Sequence, residues 1–228
     1  MAEDVTWPSV IPAALQQRLP ASLLLGLSLR PLTADDIRAR SSGQVSRPIY
    51  AVGDPEERRA TLFDPQIFGP GFDDPQPELE RERVEGNVDT FVAQVSNQFG
   101  HIELAFPVEN PFTGIAMDAI AVLPPTLRPM IYLSRARYSA SNVNDLYQRV
   151  IEVSARLRRL RQMDPDHASR HAVELAVAVE QLLLNGTADP ARSPTGRPMT
   201  SIADHLRIAG RSGVKVLLWS LGFEASWA

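Results

Sequence analysis

The stretch NVNDLYQRVIEVSARLRRLR, residues 142–161, is separated by only Gln162 to Asp164 from PDHASRHAVELAVAVEQLLLNG, residues 165–186, and this pair decides the fold. In the first segment Val143, Leu146, Tyr147, Val150, Ile151, Leu157 and Leu160 recur near the 3.6-residue period of a helix with one apolar face. Ser141 or Asn142 stands where a cap belongs, and arginines occupy the last turn, where they oppose the helix dipole. In the second segment Asp164 is an N-cap, Pro165 fills the first helical position, and Asn185-Gly186 closes the helix. Ala168, Ala172, Leu175, Val179, Leu182 and Leu183 carry its apolar stripe. Helices of about twenty residues are roughly 30 Å long at 1.5 Å per residue. A connection this short turns them into an antiparallel hairpin over residues 142–186.

Upstream of the hairpin the chain changes character. Pro107, Pro111, Pro124, Pro125 and Pro129 forbid a long helix between residues 106 and 130. Alternation after Gly86 (Val88 to Val95) and after Gly100 (His101 to Ala105) predicts two short strands. Residues 54–89 hold eleven acids against four arginines among Pro65, Pro70, Gly71, Pro75 and Pro77, and are expected to be mostly irregular and exposed. Leu23 to Leu29 reads as a strand, and Thr33 with Asp36 as a capping box opening a short helix. Residues 1–22, with Pro8, Pro12 and Pro20, read as an arm. The expected class is α+β: a Pro-rich body over residues 23–141 with short strands, the hairpin, and a C-terminal segment over 187–228.

At 228 residues the chain can bury a core without staples, and with no cysteine it has no disulfide, thiol nucleophile or cysteine-ligated metal. The apolar run Ser22 to Leu29 is too short to span a membrane and lacks the basic flank of a signal peptide, so a cytoplasmic chain with no membrane partner is expected. The net charge of −4 hides an asymmetry: residues 1–127 carry 18 acids against 9 arginines, whereas residues 128–215 carry 14 bases against 8 acids. One basic half suggests a single face that meets a polyanion or an acidic protein.

His101 and Glu103 form a His-x-Glu on one strand face, but the cysteines a zinc deaminase pairs with it are missing. His167 and His171 lie four apart on a helix without a third ligand in place, and the pairs Asp35–Asp36 and Asp73–Asp74 are explained by capping and solubility. No catalytic residue and no metal ligand is assigned. The arginines Arg149, Arg156, Arg158, Arg159 and Arg161 are the candidate partner-binding surface, since a guanidinium fork suits carboxylates and interface hot spots. Leu217, Leu218, Trp219 and Phe223 sit in an apolar tail that carries almost no charge and is expected to be an interface, with burial against the chain's own core as the competing explanation.

Several distinctive local strings stand in a fixed order along the chain. They are Leu27-Ser28-Leu29 with Asp36-Ile37-Arg38 and Ser42-Gly43-Gln44-Val45, then Leu62 to Pro70 with its Phe-Gly-Pro. Gly100-His101-Ile102-Glu103-Leu104-Ala105 and Leu123-Pro124-Pro125-Thr126-Leu127-Arg128-Pro129 follow. Asn144 to Ile151 and Arg197-Pro198-Met199-Thr200-Ser201-Ile202 complete the series, which covers roughly residues 25–205 and resembles the N-terminal clamp region of the largest (β′) subunit of multi-subunit DNA-directed RNA polymerases. The resemblance implies that the hairpin is the clamp coiled coil that docks sigma and elongation factors. It also implies that Tyr132 to Ser141 is the lid beside the RNA–DNA hybrid, placing Arg135 and Arg137 near nucleic acid.

Departures from the family pattern matter equally. An acidic, cysteine-free stretch stands between Pro70 and Gly100, where the family usually has a zinc ribbon, so no zinc is expected. The aspartate string that holds catalytic magnesium does not occur, so the chain is expected to be non-catalytic alone; magnesium enters only if a partner chain supplies that site of a nucleotidyltransferase complex. The resemblance thus implies the clamp part of a split or truncated β′ subunit, bacterial or viral, cytoplasmic or in a virion or host cytoplasm. Its partners would be the other polymerase subunits, a sigma-like or elongation factor, and DNA or RNA within the complex. The alternative is a free-standing, non-catalytic regulator that sequesters a transcription factor through the hairpin.

Overall fold

The computed structural model describes residues 27–48, 56–69, 98–128, 130–134, 137–186, 190–206 and 217–227. Among the described residues it is an α+β structure of three two-stranded antiparallel sheets with helices packed around them. The arm 1–22 and the strand expected at Val88 to Val95 lie outside the described residues.

Strand β1 (Leu27–Pro31) pairs with β6 (Phe223–Trp227), joining residues almost two hundred positions apart. Helix α1 (Ala34–Arg40) starts on the expected capping box: the Asp36 amide donates to Thr33 Oγ1 at 3.1 Å, and the Thr33 amide donates to the Asp36 carboxylate at 3.0 Å. Residues 56–69 are more ordered than their acidity suggests. Helix α2 (Pro65–Phe68) is capped by Asp64, and Leu62, Ile67 and Phe68 enter the core. Burying three large apolar side chains in so short a stretch outweighs its charge.

Strand β2 (Gly100–Glu109) runs well past the expected Ala105 and pairs with β3 (Ala116–Val122). Glu103 pairs with Ala119 and Val108 with Met117, so five steps along β2 face two along β3. This large bulge accommodates Pro107, which has no amide to give to a ladder. A short 3₁₀ turn (Pro125–Leu127) leads to β4 (Met130–Ser134) and β5 (Arg137–Ala140).

Helix α3 (Asn142–Met163) is followed after Asp164 alone by α4 (Pro165–Arg170) and α5 (Ala172–Leu183). The Asp164 carboxylate accepts from the His167 amide at 2.9 Å, as its N-cap position requires. The second helix is not continuous. His171, with φ −90° and ψ 0°, separates α4 from α5. Helix α6 (Ile202–His205) has its own capping box from Ser201 and Asp204.

The C-terminal tail is not the interface expected first but takes the competing course, burial against the chain's own core. Leu217, Leu218, Leu221 and Phe223 belong to the chain's own core, and Trp219 packs partly buried against it, 5.3 Å from the Phe99 ring. The run does not form an exposed interface because β6 closes onto β1 and residues 217–220 make a helical turn whose Leu217 and Leu218 are buried. Gly222, at φ 87°, joins the two; a Cβ there would stand 2.5 Å from the Asn110 amide nitrogen, while that amide donates to the Leu221 carbonyl at 2.9 Å.

The body closes around Arg128, which is fully buried. Its Nε donates to the Leu123 carbonyl at 2.6 Å, one terminal nitrogen to Asn144 Oδ1 at 2.9 Å, and the other to the Leu62 carbonyl. The guanidinium also lies over Phe63 and Phe68, each 5.1 Å to the centroid, and 5.9 Å from the Tyr147 centroid. Asn144 returns a bond to the Arg128 carbonyl at 3.0 Å. Tyr147 extends the knot by donating to the Ala121 carbonyl and accepting from the Leu123 amide, both at 3.1 Å. Its burial pushes the phenol up to about 12. Replacing Arg128 by leucine strands these acceptors at about 1–3 kcal/mol each, so the urea midpoint is expected to fall by an equivalent of about 3 kcal/mol or more. Arg128→Lys is expected to recover less than half of that loss, because an ammonium lacks the planar fork that reaches three segments.

Candidate functional site

Helix α3 presents arginines to two sides, and the spacing decides which. Ser154, Arg158 and Arg161, at intervals of four and three, share the side facing β2. Ser154 Oγ donates to the Glu103 carbonyl at 3.2 Å, Arg158 donates to the same carbonyl, and Arg161 to the Ala105 carbonyl at 2.8 Å. Arg161 also lies over the Phe106 ring at 5.5 Å. Two of the five arginines expected to bind a partner are therefore turned onto the body.

Arg156 and Arg159 line a mainly apolar cleft on another face, together with Leu157, Leu160, Met163, His167, His171 and Glu174. Arg156 pairs with Glu174, whose carboxylate also meets His171 Nδ1 at 2.7 Å. These bonds, that to His171 first, hold the Glu174 carboxyl below its usual range. The His167 and His171 rings lie 4.6 Å apart. A second depression beside it is lined by Arg149, Glu152, Val153, Arg156, Val173, Glu174 and Val177. Among the described residues the exposed large hydrophobics are Met163, 77% accessible, and Val173, 63% accessible, and both border these depressions. The outer face of the hairpin thus combines arginines with apolar surface left in water, the composition of a protein-docking patch.

Sequence reasoning selected the arginines but missed Met163 and Val173. Each lies outside the buried stripe of its helix, and that position was the available signal. Of the lid-like arginines, Arg135 lies outside the described residues, and Arg137 is placed only by its backbone, opposite Ser134 in the β4–β5 pair. Asn185, at the close of the hairpin, is buried and donates to the Ala191 and Met199 carbonyls at 3.1 and 2.6 Å.

The His-x-Glu pair does share one strand face. His101 Nδ1 meets Ser41 Oγ at 2.8 Å, and its Nε2 is 3.3 Å from Glu103. Arg38 binds both Glu103 oxygens at 2.8 Å and Asp118 at 2.7 Å. The Arg38 bonds hold the Glu103 carboxyl below its usual range, while burial lowers His101 despite the opposing pull of Glu103. The cluster joins α1 to β2 and β3. Among the described residues no group of three or more His, Cys, Asp or Glu side chains could hold a metal ion, and no helix is long and apolar enough to cross a membrane.

The chain is 34% identical over 135 residues to DNA-directed RNA polymerase subunit beta′ of Finegoldia magna, covering 58% of this chain and 11% of that subunit. It is 30% identical over 160 residues to the Micrococcus luteus subunit, 69% of this chain and 12% of the relative. It is 42% identical over 100 residues to that of Clostridioides difficile, 42% of this chain and 8% of the relative. No protein-family model matches the chain. The chain is similar to a partial β′ region, as its motifs suggested, and it spans about a tenth of the length of these relatives.

Glu103 and His101 both have lowered values in the fold, so the unfolded chain binds more protons than the folded one as acidity rises. Their contribution is complete above the ordinary histidine range near 6.5 and is lost as pH falls, first through His101 and then through Glu103. The melting temperature is therefore expected to drop between pH 7 and pH 4. Thermal denaturation of His101→Gln across that range is expected to show a flatter upper portion.

Proposed function

We propose that the chain is the N-terminal clamp part of a β′-like RNA polymerase subunit and acts in DNA-directed transcription. The observation that carries this reading is the similarity to β′ subunits, which reaches 69% of the chain. In this role the hairpin α3–α5 docks a sigma or elongation factor, and the segment around β4 and β5 borders the nucleic-acid channel. Support for the docking part comes from the outer face, where Arg149, Arg156 and Arg159 stand beside the exposed Met163 and Val173. Arginine supplies forked bonds to carboxylates, and the apolar neighbours supply area whose burial opposes the cost of association. No residue of the chain is assigned to zinc or magnesium in this reading, which places nucleotidyl transfer with other polymerase segments.

Affinity purification of the tagged chain from its native source tests the reading. The other polymerase subunits are expected to accompany it together with a sigma or elongation factor. The pair Arg159→Glu and Met163→Asp is expected to reduce the factor at least tenfold and leave the polymerase subunits in place. Recovery of a transcription factor without polymerase subunits would favour the free-standing regulator instead. Unchanged factor recovery by the double variant would remove the hairpin face from the account.

A further inference from the structure

Arg158 and Arg161 stand in the arginine run, yet the structure gives them different work from Arg156 and Arg159. The bulge in β2 is where that work is done. Between the Glu103–Ala119 and Val108–Met117 pairs the β2–β3 ladder is interrupted. A strand interrupted in this way needs other partners for its backbone, because a carbonyl buried without one costs as much as a lost hydrogen bond. Helix α3 supplies them. Ser154 and Arg158 both bond the Glu103 carbonyl, and Arg161 bonds the Ala105 carbonyl at 2.8 Å while covering the Phe106 ring.

The position of these bonds along α3 gives them a mechanical meaning. The first four turns of the helix are held by apolar burial, through Val143, Leu146, Tyr147, Val150, Ile151 and Leu157. Beyond Leu157 the helix has no fully buried residue, and Arg159 and residues 161–166 are exposed. The two arginine–carbonyl bonds fall where the fully buried residues of α3 end, on either side of the partly buried Leu160. Their acceptors belong to the same strand whose His101 and Glu103 side chains are tied to α1 by Ser41 and Arg38.

We propose that Arg158 and Arg161 are positioning residues that lock the distal half of the hairpin to the β2 bulge, fixing the angle at which its tip leaves the body. A charged guanidinium donating to a neutral carbonyl is stronger than a neutral hydrogen bond, and Arg158 and Arg161 lie one turn apart. Two such bonds resist rotation about the helix axis as well as bending away from the sheet. The inference concerns the geometry of the chain alone and does not depend on which factor the hairpin docks.

The native chain has no cysteine, so two introduced ones can carry spin labels without further changes. Gln162→Cys near the tip and Gln66→Cys on α2 are both at exposed positions. Pulsed electron–electron double resonance is expected to give one narrow distance distribution in the parent chain. In the variant Arg158→Ala with Arg161→Ala the width is expected to increase at least twofold, with the melting of the body retained. The variant Arg158→Lys with Arg161→Lys, which keeps a charged donor at each position, is expected to restore a narrow distribution. If the double alanine variant does not fold, Arg161→Ala alone carries the test, with a smaller broadening expected. A width unchanged in the folded alanine variant overturns the proposal, and so does failure of the lysine variant to narrow it. The partner-capture assay remains separate: loss of factor binding by Arg159→Glu with Met163→Asp at an unchanged distance distribution speaks to docking alone, whereas an unchanged distribution in the double alanine variant contradicts the lock.

Discussion

A fully buried guanidinium is the constraint around which the body is built. Arg128 reaches the Leu62 carbonyl in the turn before α2, the Leu123 carbonyl at the end of β3, and Asn144 in the first turn of α3. These segments have no common period and no local contact in the sequence, so one side chain with a planar set of donors defines their relative positions. The aromatic rings of Phe63, Phe68 and Tyr147 surround the charge, which compensates part of the cost of removing it from water. The Pro-Pro-x-Leu-Arg-Pro string acquires a physical meaning here: Pro125 opens the 3₁₀ turn, and the turn delivers Arg128 inward.

From that knot the structure extends in two directions. Towards the termini, β1 pairs with β6, and Glu224 binds Arg30 at 2.6 Å and Arg40 at 2.8 Å, so the two ends of the described chain close on each other. Towards the hairpin, α3 leaves the knot at Asn144 and is gripped again at Glu103 and Ala105 of β2. The hairpin is therefore held at two separated places, by a buried arginine near its root and by surface arginines further out. The face that remains outward is the one carrying Arg156, Arg159, Met163 and Val173.

The hairpin was legible in the sequence because apolar periodicity over some twenty residues is a local signal, and Asp164-Pro165 marks a helix start unambiguously. Strand β3 was not, because Ala116 to Val122 is buried almost throughout its second half and so shows no alternation. The division of the arginine run was only partly legible: Arg156 and Arg159 are three apart, as are Arg158 and Arg161, and an offset of two turns the pairs to different sides, but nothing local shows that the second pair meets a bulge fifty residues upstream. The tail was only half legible for a related reason. An apolar run announces that it will be covered, and its cover here is β1 and the core, brought in from the opposite end of the chain. The break at His171 likewise leaves no mark in a stretch that is otherwise good helix.

If one buried arginine joins α2, β3 and the root of α3, those elements should open as a unit. Native-state hydrogen exchange in increasing urea reads this directly at the amides of residues 67–68, 119–122 and 146–151. The account predicts that their opening free energies converge on one value, equal to that of global unfolding, and that Arg128→Lys lowers all three together. Separate values for α3 and for the β2–β3 pair, with α3 unmoved by the substitution, would contradict it.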